Sequence, residues 1–333
     1  MLSKVLIIHP EGNSFNNPTM KCVIDCLRDH GVDVCVIYRR TMAPMPEYSG
    51  VRYHSWGRLL AMLKEIAFNK ISSLWISHFL AYFESLFIST DFDLIIGVDR
   101  EGLIQSFLMS RICKKPYVFF SFEIMFEEET SVRFKKIERI CSASVAAWFV
   151  QDAERAKILR LQNDLAFNKC MMLPLASKGV GVFPKNRLRD HLGVPYHKKV
   201  AIFMGSLSGW SMFCEVVQSV GAWPQDWCLI LHGRYGQTRK YLHDAMPNMV
   251  SLIGETIFIS DSPADKVDEM GFILAGVDAG LAFYRPSYNS RHTGRNLEHL
   301  GLASGKIGTF LRYGVPVVMN RIGMYSAFAE KDG

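Results

Sequence analysis

Apolar residues along this chain come in short unbroken runs, set between longer stretches in which polar and apolar positions alternate at helical spacing. Lys4-Val5-Leu6-Ile7-Ile8 is the first run. A run of that kind predicts a strand covered on both faces, as in a parallel sheet wrapped by helices. A polar loop with Gly12, Asn13, Asn16, Asn17 and Pro18 follows, then a helix predicted from about Thr19 to His30 and stopped at Gly31. Further strands are predicted at 34–38, 93–98, 117–120 and 145–150, with helical stretches between them that include 134–141 and 153–161. This alternation predicts a mainly parallel sheet.

From Leu173-Pro174-Leu175 to about Pro195 the rhythm breaks, and Gly, Pro and Lys are frequent. The segment reads as an interdomain linker. The alternation then restarts, with strands predicted at 199–204, 227–231, 249–253, 279–283 and 315–319. The expected architecture is therefore α/β, with two doubly wound, Rossmann-like domains. One spans residues 1–178, the linker 179–197, and the second 198–333. Two such domains facing one another would place both sets of strand C-termini at a shared cleft, where open α/β sheets bind ligands.

Composition narrows the classes. The chain has 333 residues, 49% of them hydrophobic, which is enough for two cores. A formal charge of +6 favours an anionic substrate or an anionic membrane surface. No dense Lys/Arg stripe with interleaved aromatics argues for nucleic acid. The eight cysteines form no CxxC pair and no Cys/His cluster at zinc spacing, so reduced thiols in a cytoplasmic protein and no metal are expected. The start of the chain runs straight into a strand, with no signal-peptide pattern. Residues 71–89 are apolar and aromatic but hold His78 and Glu84, so a membrane span is rejected. Packing of that stretch on its own domain is the first expectation, and a peripheral helix resting on a membrane the second.

The strongest candidate chemistry lies near the end, in Gly301-Leu-Ala-Ser304-Gly305-Lys306-Ile-Gly-Thr309-Phe-Leu-Arg-Tyr-Gly314-Val-Pro316-Val-Val. A small-residue loop opening a helix leaves backbone N–H groups unpaired. With the positive helix end and Lys306 they make a place for phosphate oxygens. A plain connection with an exposed lysine is the alternative. No Gly-x-Gly-x-x-Gly follows Ile8 and no P-loop is present, which weakens dinucleotide and P-loop readings.

In order and spacing these segments resemble the GT-B glycosyltransferases, and within them the large retaining family that builds bacterial surface polysaccharides. Phe203-Met204-Gly205-Ser206-Leu207 is similar to the turn that opens the donor domain. Leu229 to Gly236 is similar to its second strand and glycine turn, and Val250 to Gly254 with Gly276 to Ala282 to a later helix-strand unit. Ser304 to Val318 resembles the segment that grips the donor nucleotide. Phe134 to Arg139 and Val150 to Ala156 resemble members that act on sugars.

The resemblance implies a metal-independent transfer from a nucleotide diphosphate sugar, with no other cofactor, to a saccharide or lipid-linked acceptor. It implies donor contacts at Gly205, Ser206, Arg234, Ser304, Gly305, Lys306 and Thr309. Arg291 and Arg295, in a basic loop, stand for charge missing elsewhere. The two glutamates of retaining members fall on Gly301 and Thr309, neither a carboxylate, with Glu298 as a nearby substitute. Glu123, after the 117–120 strand in an apolar context, is the candidate general base. Its alternative is a helix N-terminal glutamate held by backbone N–H groups. Gly12 and Asn13 are candidate sugar contacts, and Asn17 is read as a helix cap. A complete member of the family would continue with a further strand and helices beyond residue 333, so an incomplete donor domain is expected. Two other functions share the pattern: a nucleotide-sugar 2-epimerase, and a non-catalytic sugar-nucleotide-binding subunit.

Overall fold

The structure is a computed structural model that describes residues 2–10, 14–38, 50–55, 91–233, 236–261, 269–289 and 292–332. It divides into two compact units, Met1–Pro174 and Leu175–Gly333. Residues 179–197 thus lie inside the second unit.

Among its described residues the first unit holds seven parallel strands: β1 (Lys4–His9), β2 (Asp33–Tyr38), β3 (Val51–Ser55), β4 (Leu94–Val98), β5 (Tyr117–Phe120), β6 (Ala147–Val150) and β7 (Cys170–Met172). Their order is β3-β2-β1-β4-β5-β6-β7. The chain runs outward from β1 to β3 and then crosses back to β4 on the other side of β1, so the gap between the ends of β1 and β4 is the topological switch point. Val5 to Ile8 are fully buried, as their unbroken apolar run requires. The helix Pro18–Asp29 starts where Asn17 accepts the Met20 N–H at 3.0 Å, which bears out the cap reading. It stops before Gly31, whose φ of 74° is left-handed.

The second unit repeats the plan with five parallel strands: β8 (Lys199–Gly205), β9 (Trp227–Gly233), β10 (Ile257–Ser260), β11 (Ala279–Ala282) and β12 (Val317–Met319). The order β10-β9-β8-β11-β12 puts its switch point between β8 and β11. The strand expected at 249–253 is not one. Pro247 opens a 3-10 helix, Pro247–Leu252, and the strand follows the Gly254 turn as β10. A short apolar run suits a helical turn or a strand equally well, and the proline decides it. β3 and β7, both short edge strands, were not among the expected strands: β3 interleaves Arg52 and His54 with its apolar positions, and β7 is the brief Cys170-Met171-Met172 run just before Pro174.

One close approach holds the first switch point together. A Cβ on Gly102 would lie 2.4 Å from the Ile8 carbonyl oxygen, and one on Gly97 2.6 Å from that of Gly102. Only glycine lets the helix Asp99–Cys113 sit this near β1 and β4. Gly102→Ala is expected to destabilise the protein by ~1–3 kcal/mol in denaturant unfolding, as overpacking does. Gly221→Ala, where no atom lies within 4 Å of an added Cβ, should change stability by no more than ~0.5 kcal/mol.

Candidate functional site

The polar side chains of the first unit gather at the C-terminal ends of β1, β4, β5 and β6, around its switch point. Asp99 follows β4 directly and has left-handed backbone at φ 56°. Its Oδ1 accepts the N–H groups of Phe122 at 2.8 Å and Glu123 at 3.0 Å. Arg155, fully buried, comes from the helix Ala153–Asn163. It donates through one terminal nitrogen to the Phe122 carbonyl at 2.7 Å and through Nε to Gln151 Oε1 at 2.7 Å. Gln151 in turn donates to the Ser121 carbonyl at 2.7 Å. Three neighbouring elements thus hold the turn Ser121-Phe122-Glu123 by its peptide groups.

Glu123 sits at the end of that turn. Water reaches the residue, while protein crowds its carboxyl. Burial first, and the Asp99 carboxylate second, push its pKa up to about 8, against the pull of Arg155. Asp99 is itself raised to about 6 by burial, opposed by its two N–H donors and Arg155. His9, at the end of β1, lies 3.7 Å from Asp99 Oδ2, too far for a hydrogen bond, and contacts Ser14 Oγ at 3.2 Å. Burial lowers the His9 pKa to about 4, so at neutral pH its ring is uncharged and makes no ion pair with Asp99.

A second polar network lies deeper. Lys135, with no exposed surface, pairs with Glu138 at 3.1 Å and donates to Asn163 Oδ1 at 2.7 Å and to the Met125 carbonyl. Asn163 returns a bond to Glu138 Oε1 at 2.9 Å. Each charge is paired and bonded, as burial demands. The network ties the helix Val132–Ser142 to the segment after β5.

In the second unit the corresponding residues gather at β8, β11 and the helix Gly305–Arg312. Ser304 caps that helix by accepting the Ile307 N–H at 3.2 Å, and its carbonyl accepts the Gly308 N–H at 3.0 Å. The N–H groups of Gly305 and Lys306 are left as open donors of the first turn. A Cβ on Gly205, whose φ is 104°, would lie 3.5 Å from Lys306 Cε, so the β8 turn and the Lys306 side chain meet.

Lys306 is the most informative side chain here. Its Nζ is buried and has no hydrogen-bond partner among the described residues. It rests 4.6 Å from the ring centre of Phe203 and 5.3 Å from that of Tyr284. Two aromatic faces ease the charge without satisfying its N–H groups. Burial lowers its pKa to about 8. An exposed lysine on a plain connection is thereby excluded. Tyr284 is fixed in turn: its hydroxyl meets Ser304 Oγ at 2.6 Å, and its backbone exchanges bonds with the Asn320 amide at 3.0 and 2.7 Å.

The other expected residues divide. Ser206 shares the β8 turn, and its carbonyl accepts from Ser211 Oγ at 2.7 Å. The Thr309 hydroxyl donates within its own helix to Gly305 O at 2.7 Å. Arg295 and Glu298 lie 3.8 Å apart, and Tyr288 donates to Glu298, so Glu298 already has two local partners. Gly12, Asn13, Arg234, Arg291 and the 58–89 stretch lie outside the described residues. Among the described residues no His, Cys, Asp and Glu side chains cluster as metal ligands, and no helix is long and apolar enough to cross a membrane. Sequence reasoning missed Asp99 and Tyr284, and it quoted Arg155 and Phe203 inside motifs without giving either a role at its site. An aspartate directly after an apolar run, where a turn must form, was the available signal for Asp99.

No protein-family model matches the sequence, and no curated protein sequence matches it. Solved structures do match. The Anabaena protein HepE, in complex with UDP and glucose, aligns over 98% of this chain and 83% of its own, with 16% identity and a TM-score of 0.63. The chain has the GT-B fold. A trehalose-6-phosphate protein from E. coli bound with UDP-2-fluoro glucose aligns over 98% and 86%, with 10% identity and a TM-score of 0.62. The lipopolysaccharide outer core galactosyltransferase WaaB aligns over 96% and 81%, with 10% identity and a TM-score of 0.54. At these identities the likeness is one of GT-B architecture: two Rossmann-like units whose switch points carry the residues described above.

The state of Glu123 has a measurable consequence for stability. Its folded pKa of about 8 exceeds the ordinary 4.5, so folding disfavours its ionisation. Stability is present while the group is protonated and is lost as pH rises from about 4.5 toward 8. Glu123→Gln mimics the protonated form. Its melting temperature is expected to match the wild type near pH 4.5 and to exceed it increasingly up to pH 8. Parallel melting curves across that range would show an unperturbed carboxyl.

Proposed function

We propose that the protein is a glycosyltransferase that moves a sugar from a UDP-sugar to a hydroxyl of a saccharide or lipid-linked saccharide acceptor. The single observation that carries this reading is the unpartnered ammonium of Lys306 beside two open N–H donors at a helix start. A buried cation without an anion costs stability, and its retention is explained when a phosphate supplies the missing charge. Uracil is the proposed donor base, a reading supported by the HepE and E. coli structures of this fold, which hold UDP or a UDP-sugar. The likeness to WaaB, a lipopolysaccharide outer core galactosyltransferase, supports an acceptor in surface polysaccharide assembly, and with it a peripheral place at a membrane.

In the proposed reaction the acceptor oxygen bonds to the anomeric carbon. The bond from that carbon to the diphosphate oxygen breaks, and its electron pair leaves with UDP. The negative charge growing on the leaving diphosphate is met by Lys306 and the Gly305 and Lys306 N–H groups, donors already oriented before the reaction. The acceptor proton passes to ionised Glu123. Gly301 and Thr309, where the resemblance puts the sugar- and ribose-contacting glutamates of retaining members, supply no carboxylate, and in this proposal Lys306 and the helix start carry the leaving-group charge.

Calorimetric titration with UDP, GDP, dTDP, CMP and NAD tests the donor half. UDP is expected to bind tightest, and Lys306→Met to weaken it at least ~10-fold, the loss of a charge-assisted contact. The same variant should unfold no more easily than the wild type, because it removes an unpaired buried charge. Binding of NAD alone, or of no diphosphate, would overturn the reading. For the reaction, turnover of UDP-glucose with a saccharide acceptor should fall as pH drops below about 8, since Glu123 must be ionised, and Glu123→Gln should lose ~100-fold or more in kcat. Conversion of the UDP-sugar without any acceptor would identify an epimerase, and tight UDP binding without turnover across acceptors a binding subunit.

A further inference from the structure

We propose that Asp99 is a positioning residue for Glu123, its Oδ1 latching the turn after β5 through the Phe122 and Glu123 N–H groups so that the Glu123 carboxyl is presented at the switch point of the first unit. This rests on the role of Glu123 in the reaction above.

Three observations converge on Asp99. Its backbone is left-handed at φ 56°, a conformation that costs most L-residues energy and that aspartate tolerates better than most. The contacts it makes there are two charge-assisted bonds to consecutive peptide N–H groups, at 2.8 and 3.0 Å. Its charge stands close enough to Glu123 to oppose that residue's ionisation. The close glycine contacts at Gly97 and Gly102 bring the start of its helix to this place. The residue is thus held in an unfavoured backbone state by packing, and what it does in that state is hold the turn that carries Glu123.

The electrostatic surroundings are defined on each side. Arg155, from the helix Ala153–Asn163, favours ionisation of both carboxyls, and Asp152 at the start of that helix faces Arg155. Glu138, from the helix Val132–Ser142, opposes ionisation of Asp99. His9, from β1, is uncharged above about pH 4 and adds no charge in the working range. Removing the Asp99 charge while keeping its acceptor oxygen should therefore let Glu123 ionise more easily, with the turn still held.

Asp99→Asn does this, because asparagine offers an acceptor oxygen and tolerates the left-handed backbone. The measurement is the carboxyl 13C titration of Glu123, assigned by its disappearance in Glu123→Gln, in wild-type protein and in Asp99→Asn, together with the pH profile of kcat. The expected result is a Glu123 midpoint lowered by ~1 unit or more, the size of a like-charge effect, with the acid limb of kcat moving by the same amount and UDP affinity unchanged. Asp99→Gly, which fits the backbone and lacks the acceptor, should lower kcat at least ~10-fold at unchanged UDP affinity, since misplacement of a reacting group costs rate rather than donor binding. An unchanged Glu123 midpoint in folded Asp99→Asn would overturn the proposal. So would full kcat in Asp99→Gly. Full turnover by Glu123→Gln would instead refute the role of Glu123 itself, and the 13C titration would still report on the coupling.

Discussion

A parallel sheet stops making ladder hydrogen bonds where its strands end, and the peptide groups of the loops that leave there must be held by something else. Both units meet this need with side chains from the next element along. In the first, Asp99, Gln151 and Arg155 hold the turn 121–123. In the second, Ser304 caps the helix start and Asn320 holds the backbone of Tyr284. The groups that satisfy these peptide bonds also arrange the chemistry, because each switch point is where a ligand has room to lie.

The polar clusters of the two units use burial in opposite senses. In the first, protein crowds two carboxyls near one another, and both are pushed toward their protonated forms. In the second, it crowds a lone ammonium, which is pushed toward its neutral form. Each is costly to the protein, and in the proposed reaction an acceptor proton would answer the one and a diphosphate the other. The Lys135–Glu138–Asn163 network shows the contrast. There every polar group is bonded and paired, which is what a structural role requires.

Much of the architecture was legible in the sequence, because strands buried on both faces have unbroken apolar runs. Val5 to Ile8 and Val200 to Met204 announced β1 and β8, and the Ser304-Gly305-Lys306 start announced the helix that follows. Local patterns served less well where two structures share one signal. Met249 to Ile253 was read as a strand, but Pro247 makes it a 3-10 turn, and the strand begins only after Gly254. Around the candidate site, local structure was legible where a motif is contiguous, as at the Gly205 turn and the Ser304-Gly305-Lys306 helix start. It was not legible where distant residues meet. Nothing near Asp99 in sequence says that its carboxylate will bind peptides 23 and 24 residues later. Nothing near Lys306 says that two rings, from β8 and from the loop after β11, will flank it.

The most direct test of the account is a crystal structure of the protein with UDP bound. The account predicts the diphosphate at the start of the helix Gly305–Arg312, bonded to the Gly305 and Lys306 N–H groups, with Lys306 Nζ drawn off the Phe203 and Tyr284 rings onto a phosphate oxygen. UDP bound elsewhere, or bound there with Lys306 still against the two rings, would contradict it.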